Sequence, residues 1–135
     1  MAPPGVDKDG DGESNGVEFA LGGSPISGSD NAKIYNLVAD SSDGDALNEL
    51  LMTIAVRTGT PAFAGSPSPT AIQEGFTYTV QGSTTLASFA EGVTPVTPVT
   101  AGLPAAPAGY EYRTFSLDGS NGTPTTGFLR VKVNF

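Results

Sequence analysis

An all-β fold, an antiparallel β-sandwich of the jelly-roll or immunoglobulin-like kind with one short N-terminal helix, is predicted by three features of this sequence. Val and Thr are abundant, and 18 glycines and 11 prolines punctuate the chain, so apolar runs are short and bounded by turn residues. No stretch sustains a helical period beyond about two turns. Period-two alternation recurs instead, most clearly as Leu50, Met52, Ile54 and Val56 against Leu51, Thr53, Ala55 and Arg57. At 135 residues the chain can bury one core. One compact unit is expected, with an acidic loop and helix over 1–23 and the sandwich over 24–135.

The first element is the run Asp7-Lys8-Asp9-Gly10-Asp11-Gly12-Glu13-Ser14-Asn15-Gly16-Val17-Glu18. Carboxylates stand at positions 1, 3 and 5 of this twelve-residue stretch, glycine at 6 and glutamate at 12, which is the spacing of an EF-hand-type calcium loop. Calcium takes six to eight oxygen ligands, and this spacing turns alternate side chains toward one point while Gly12 permits the sharp bend. Asp7, Asp9, Asp11 and Glu18 would bind through carboxylates, Glu13 through its backbone carbonyl, and Asn15 directly or through water. Ser14 replaces the apolar residue that pairs one such loop with a second, and no amphipathic helix precedes Asp7. A single structural calcium site is therefore expected rather than a paired sensor, with carboxylates that repel one another until the cation binds.

A helix is predicted over Asn15–Leu21, stopped by Gly22-Gly23 and then Pro25. The connector 24–32 is turn-rich. Strands are predicted at Lys33–Ala39, Glu49–Thr58, Gly75–Gln81, Val93–Thr100, Tyr110–Leu117 and Gly127–Phe135. The core is expected to come from the apolar face of the second of these, from Leu129, Val131, Val133 and Phe135, and from Phe76, Tyr78 and Val80. The repeat VTPVTPVT, residues 93–100, contains prolines that cannot donate to a ladder, so it is assigned to an edge or rim. The Pro/Ala-rich stretches 59–74 and 101–109 are predicted to be long loops, and Asp118-Gly119-Ser120-Asn121-Gly122 a hairpin turn.

Composition narrows the function. A net charge of -8 with only six Lys and Arg disfavours nucleic acid and anionic membranes as partners. No apolar run approaches the ~20 residues of a membrane span. With no Cys there is no disulfide framework, and bound calcium is the expected staple. Residues 1–5 lack the basic and apolar regions of a signal peptide, and the chain reads as a monomeric piece of a larger exported protein, secreted or at the cell surface.

The run DKDGDGESNGVEFALGGSP resembles a calcium-loop segment found near the C-termini of large exported bacterial proteins, itself similar to dockerin and thrombospondin type 3 loops. Two further stretches carry the resemblance: Tyr78-Thr79-Val80-Gln81-Gly82-Ser83-Thr84-Thr85-Leu86-Ala87-Ser88-Phe89, with Phe where Trp is commoner, and the terminal Gly127-Phe128-Leu129-Arg130-Val131-Lys132-Val133. The resemblance implies an accessory β-sandwich on a multidomain parent that is often polysaccharide-degrading or adhesive. It assigns no ligand.

Other groups have both a bland and a functional reading. Asp40, Asp43 and Asp45 make either a solvated loop or part of a second cation site. Tyr35, Tyr110 and Tyr112 are candidates for stacking on sugar rings, with Arg113 as a hydrogen-bonding neighbour, or else pack within the sandwich. The lack of His and Cys removes the usual catalytic base and thiol nucleophile, and the remaining acids show no catalytic pairing, so no enzyme activity is expected. The expected function is a non-catalytic, calcium-stabilised carbohydrate-binding module of a secreted polysaccharide-active protein, with a structural or adhesive spacer or C-terminal sorting module as the alternative.

Overall fold

The computed structural model describes residues 5–6, 10, 15–23, 32–40, 48–84, 88–117 and 127–134. After helix α1 (Asn15–Leu21) come strands β1 (Ile34–Asp40), β2 (Asn48–Arg57), β3 (Thr70–Gln73), β4 (Phe76–Ser83), β5 (Val93–Val96), β6 (Tyr110–Leu117) and β7 (Phe128–Asn134). They form two antiparallel sheets, ordered β1-β2-β6-β5 and β3-β4-β7. The described residues are thus mostly antiparallel β with one short helix, as composition and period-two alternation predict.

Alternation explains how both sheets share one core. Met52, Ile54 and Val56 of β2 and Phe115 and Leu117 of β6 point inward from one sheet, and Phe76, Tyr78 and Val80 of β4 meet them from the other. Phe63, from the loop after β2, wedges its ring edge-on against Phe115 at 4.8 Å and lies 5.9 Å from Tyr78. Ala20 and Leu21 extend the core into α1. Leu50, Leu129, Val131 and Val133 are half-buried at its margin, and Phe135 lies outside the described residues.

Three differences from the sequence reading have physical causes. Residues 59–74 are not all loop, because Thr70–Gln73 pairs with β4 as β3. The turn between them is Glu74-Gly75, with φ of 53° and 84°, the left-handed pair that a tight hairpin needs. The strand predicted over 93–100 stops at Val96, and its pairing through Pro95 is tolerated because β5 is an edge. The core is expected from only the apolar face of β2, yet the other face is covered too: Leu51, Thr53 and Ala55 are fully buried.

The stretch after β5 helps to cover that outer face. Thr53 Oγ1 donates to Val99 O at 2.9 Å, and Val99 N donates to Thr114 Oγ1 at 2.9 Å. The Thr53 proton is thus committed, so Thr114 donates to Thr53 Oγ1 across 2.7 Å. Tyr112 Oη donates to Pro104 O at 2.6 Å, fastening the Pro/Ala-rich segment farther along. A buried polar pair at the sheet centre is therefore satisfied by a loop without secondary structure of its own.

Candidate calcium joint and tyrosine face

Helix α1 carries the last ligand position of the twelve-residue run, and its fixation begins at its C-terminal end. A helix leaves its last four carbonyls without intrahelical partners, and seven residues are too few to be stable alone in water. Here each of those carbonyls has a donor. Glu18 O accepts from Gly23 N at 2.8 Å, closing the turn through Gly22, whose φ is +84°. Phe19 O accepts a short bond from Tyr110 Oη. Ala20 O accepts from Tyr78 Oη at 2.7 Å, and Leu21 O from Lys33 N at 2.8 Å. The tyrosines stand on β4 and β6, so each sheet contributes one hydroxyl to the helix end.

Packing reinforces this latch. The Phe19 ring lies 5.3 Å from Phe76, and the Arg57 guanidinium sits 4.7 Å above Phe19 and 5.2 Å from the Tyr110 ring. Arg57 Nε donates to Glu74 Oε2 at 2.7 Å. That bond is the main reason the Glu74 carboxyl is held below its ordinary pKa and Arg57 above its own. The pair is exposed and screened by solvent, so its role is to aim the guanidinium rather than to stabilise strongly. Gly22 has a second reason to be glycine: a Cβ there would stand 3.3 Å from Lys33 Cγ and 3.4 Å from Ala55 Cβ.

Glu18 is fully buried, and both carboxylate oxygens are shielded from solvent. An ionised carboxylate is tolerated inside a protein where hydrogen bonds or a cation compensate its lost hydration. The oxygen-only donor set of the sequence run, ending on this buried carboxylate, fits calcium. Asp7, Asp9, Asp11 and Glu13, the side chain of Asn15, and Asp43 and Asp45 lie outside the described residues, as does the predicted turn at 118–122. Among the described residues no group of three acids, His or Cys could hold a metal ion.

The sugar-stacking candidates are only partly brought together. Tyr35 and Tyr112 meet on the outer face of the four-stranded sheet with ring centres 6.0 Å apart and planes at 78°, an edge-to-face packing rather than a flat platform. Tyr110 is on the same face but spends its hydroxyl on Phe19. Arg113, next along the strand, points to the opposite face. Its guanidinium donates to Thr60 O at 2.5 Å, Pro61 O at 3.1 Å and Glu111 Oε1 at 2.9 Å, pinning the segment that carries Phe63. Beside it is a largely apolar cleft of about 130 Å³, walled by Phe63, Val96 and Phe115. The latch residues Tyr78 and Arg57 were not singled out as functional by sequence reading. The one available signal was an aromatic with a polar tip at a core position, which needs a buried acceptor.

Burial pushes the Tyr78 phenol above its ordinary pKa of 10.0, and it does the same to Tyr112. A raised phenol pKa means the stability is fully present below the unfolded value and is lost as pH rises through the folded one. Melts recorded by circular dichroism are therefore expected to show falling stability above about pH 10, where the unfolded chain ionises first. Tyr78→Phe should flatten part of that alkaline fall, while costing about 1–3 kcal/mol at neutral pH by stranding Ala20 O. An alkaline profile identical in the variant would remove Tyr78 from this account.

No protein-family model, no curated protein and no solved structure matches this chain.

Proposed function

We propose that this chain is a calcium-stabilised, non-catalytic accessory module of a larger exported protein, acting as a structural spacer in which bound calcium rigidifies the N-terminal joint. The observation that carries this reading is Glu18: the residue at the twelfth loop position is fully buried, on a helix whose four terminal carbonyls are all held, two of them by tyrosines of the sandwich. Calcium bound by residues 7–18 would therefore be coupled to the sandwich rather than to a freely swinging arm. The EF-hand-type spacing supports the choice of metal. Among the described residues the order β1-β2-β6-β5 follows that of an immunoglobulin-like A-B-E-D sheet, which supports that arrangement over a jelly roll.

Carbohydrate binding, the other reading of the sequence, is disfavoured by the tyrosine geometry. Tyr35 and Tyr112 are edge-to-face, and the hydroxyls of Tyr110 and Tyr112 are engaged with backbone carbonyls. Isothermal titration with calcium, followed by a panel of soluble glycans added to the calcium form, tests the proposal. Saturable calcium binding lost in Asp9→Ala plus Glu18→Ala, with no heat from any glycan, is the expected result. A glycan that binds, and that Tyr112→Ala abolishes, would replace the spacer by the binding module. Failure of the wild-type chain to bind calcium would overturn both.

A further inference from the structure

Helix α1 divides into two halves with different tasks. Asn15 and Glu18, the ninth and twelfth positions of the calcium-type run, stand in its first turn, while the carbonyls of Phe19, Ala20 and Leu21 behind them are the ones tied to the sandwich. Isolated helices below ~12–15 residues are marginal in water, so a helix of this length owes its form to what holds it.

Three strands share the hold. Tyr78 Oη donates to Ala20 O and accepts from Arg57 N at 3.4 Å, so one hydroxyl joins α1 to β4 and to the end of β2. Tyr110 Oη reaches Phe19 O from β6. The backbone adds a further tie, because Lys33 N donates to Leu21 O while Lys33 O accepts from Ala55 N at 3.1 Å, which fixes the chain after the helix against β2. Both tyrosine rings also have partners of their own: Tyr78 packs against Phe63, and Tyr110 lies under the Arg57 guanidinium. Removing either hydroxyl alone therefore loosens α1 without emptying a site in the sheets.

This hold bears on the cost of binding the cation. A ligand that needs a conformation populated only in part binds more weakly by that fraction. With α1 docked, Glu18 is already inside the fold; with α1 released, binding must first rebuild the helix and return that carboxylate to the interior. We infer, resting on the calcium reading proposed above, that Tyr78 and Tyr110 are positioning residues of the calcium site, which take no part in coordination but set its affinity by keeping α1 docked before the cation arrives. Coupling of this kind is reciprocal, so bound calcium in turn tightens the two tyrosine bonds.

Tyr112 supplies the internal control. It stands on β6 on the same face as Tyr110 and also spends its hydroxyl on a backbone carbonyl, but that carbonyl is Pro104 O, in the loop after β5. Calcium titrations are compared for wild type, Tyr110→Phe, Tyr78→Phe combined with Tyr110→Phe, and Tyr112→Phe, at a temperature where circular dichroism shows each chain folded. The dissociation constant is expected to rise about five-fold or more in Tyr110→Phe and further in the double variant, and to stay within about two-fold of wild type in Tyr112→Phe. Amide exchange of the calcium-free chains should quicken over α1, Gly23 and Lys33 in the first two variants while β2 and β4 stay protected, a split that a general loss of stability does not produce. If the double variant does not fold, Tyr110→Phe decides alone. Wild-type affinity in Tyr110→Phe overturns the positioning role and leaves the calcium reading standing, and so does a Tyr112→Phe chain weakened as much as Tyr110→Phe. A wild-type chain that binds no calcium removes the calcium reading and the positioning role with it.

Discussion

Chelating calcium from the wild-type chain is expected to lower its melting temperature by about 10 °C. A ligand held at ~100 times its dissociation constant adds roughly 2.7 kcal/mol to stability, and a domain of this size melts a few degrees lower for each kcal/mol lost. The effect should reach the sandwich, because the buried Glu18 sits on a helix tied to β4 through Tyr78 and to β6 through Tyr110. Glu18→Gln separates this account from a simple packing role. It keeps the volume and removes the charge, so the calcium increment should vanish while the chelated variant melts no lower than chelated wild type. If the variant were equally destabilised with and without calcium, Glu18 would be a packing residue and the joint would lose its metal.

Gly82→Ala is expected to cost about 1–3 kcal/mol, the range for forcing an extra methyl group into a packed interior. Gly82 lies in β4 beneath the β5–β6 pair Val93 and Leu117. A Cβ there would collide with Leu117 Cδ1 and stand 2.9 Å from Val93 Cγ2. Both neighbours are side-chain ends, which in a loose site would rotate away, but Leu117 is fully buried and Val93 nearly so. Gly92→Ala is the control, since nothing lies within 4 Å of its added carbon. Urea denaturation should show a lower midpoint for Gly82→Ala at unchanged slope and near-wild-type behaviour for Gly92→Ala. Equal midpoints would mean that the two sheets do not approach as closely at this point as the fold requires.

Local rules made much of this chain legible without a structure. Helix α1 occupies the predicted residues because an apolar stretch ends in Gly22-Gly23, and these two glycines close its last turn. The edge character of residues 93–96 follows from Pro95, which has no N–H to offer a second strand. Met52, Ile54, Val56, Tyr78 and Val80 are core because alternation puts them on one face. The ligand set proposed for calcium likewise rests on spacing within twelve consecutive residues, which is a local pattern.

What depends on distant contacts was not legible. Alternation assigns residues to two faces but does not say which face is covered: the burial of Thr53 depends on the later segment that carries Val99, and that of Ala55 on the earlier helix end at Gly22. Tyr110 and Tyr112 look alike as neighbours on one strand face, yet one caps a helix 91 positions earlier and the other holds a proline loop. Arg113 appeared to belong with them by number and is separated from them by the pleat. The sequence by itself located six of the strands, though not β3 or the end of β5, together with the helix and its stop, because each depends on residues within a few positions. Only the tertiary structure decided that the helix is latched at every terminal carbonyl, that Glu18 is buried, and that Arg113 pins the segment carrying Phe63. Those outcomes require groups from separate strands to converge, and no local pattern encodes that convergence.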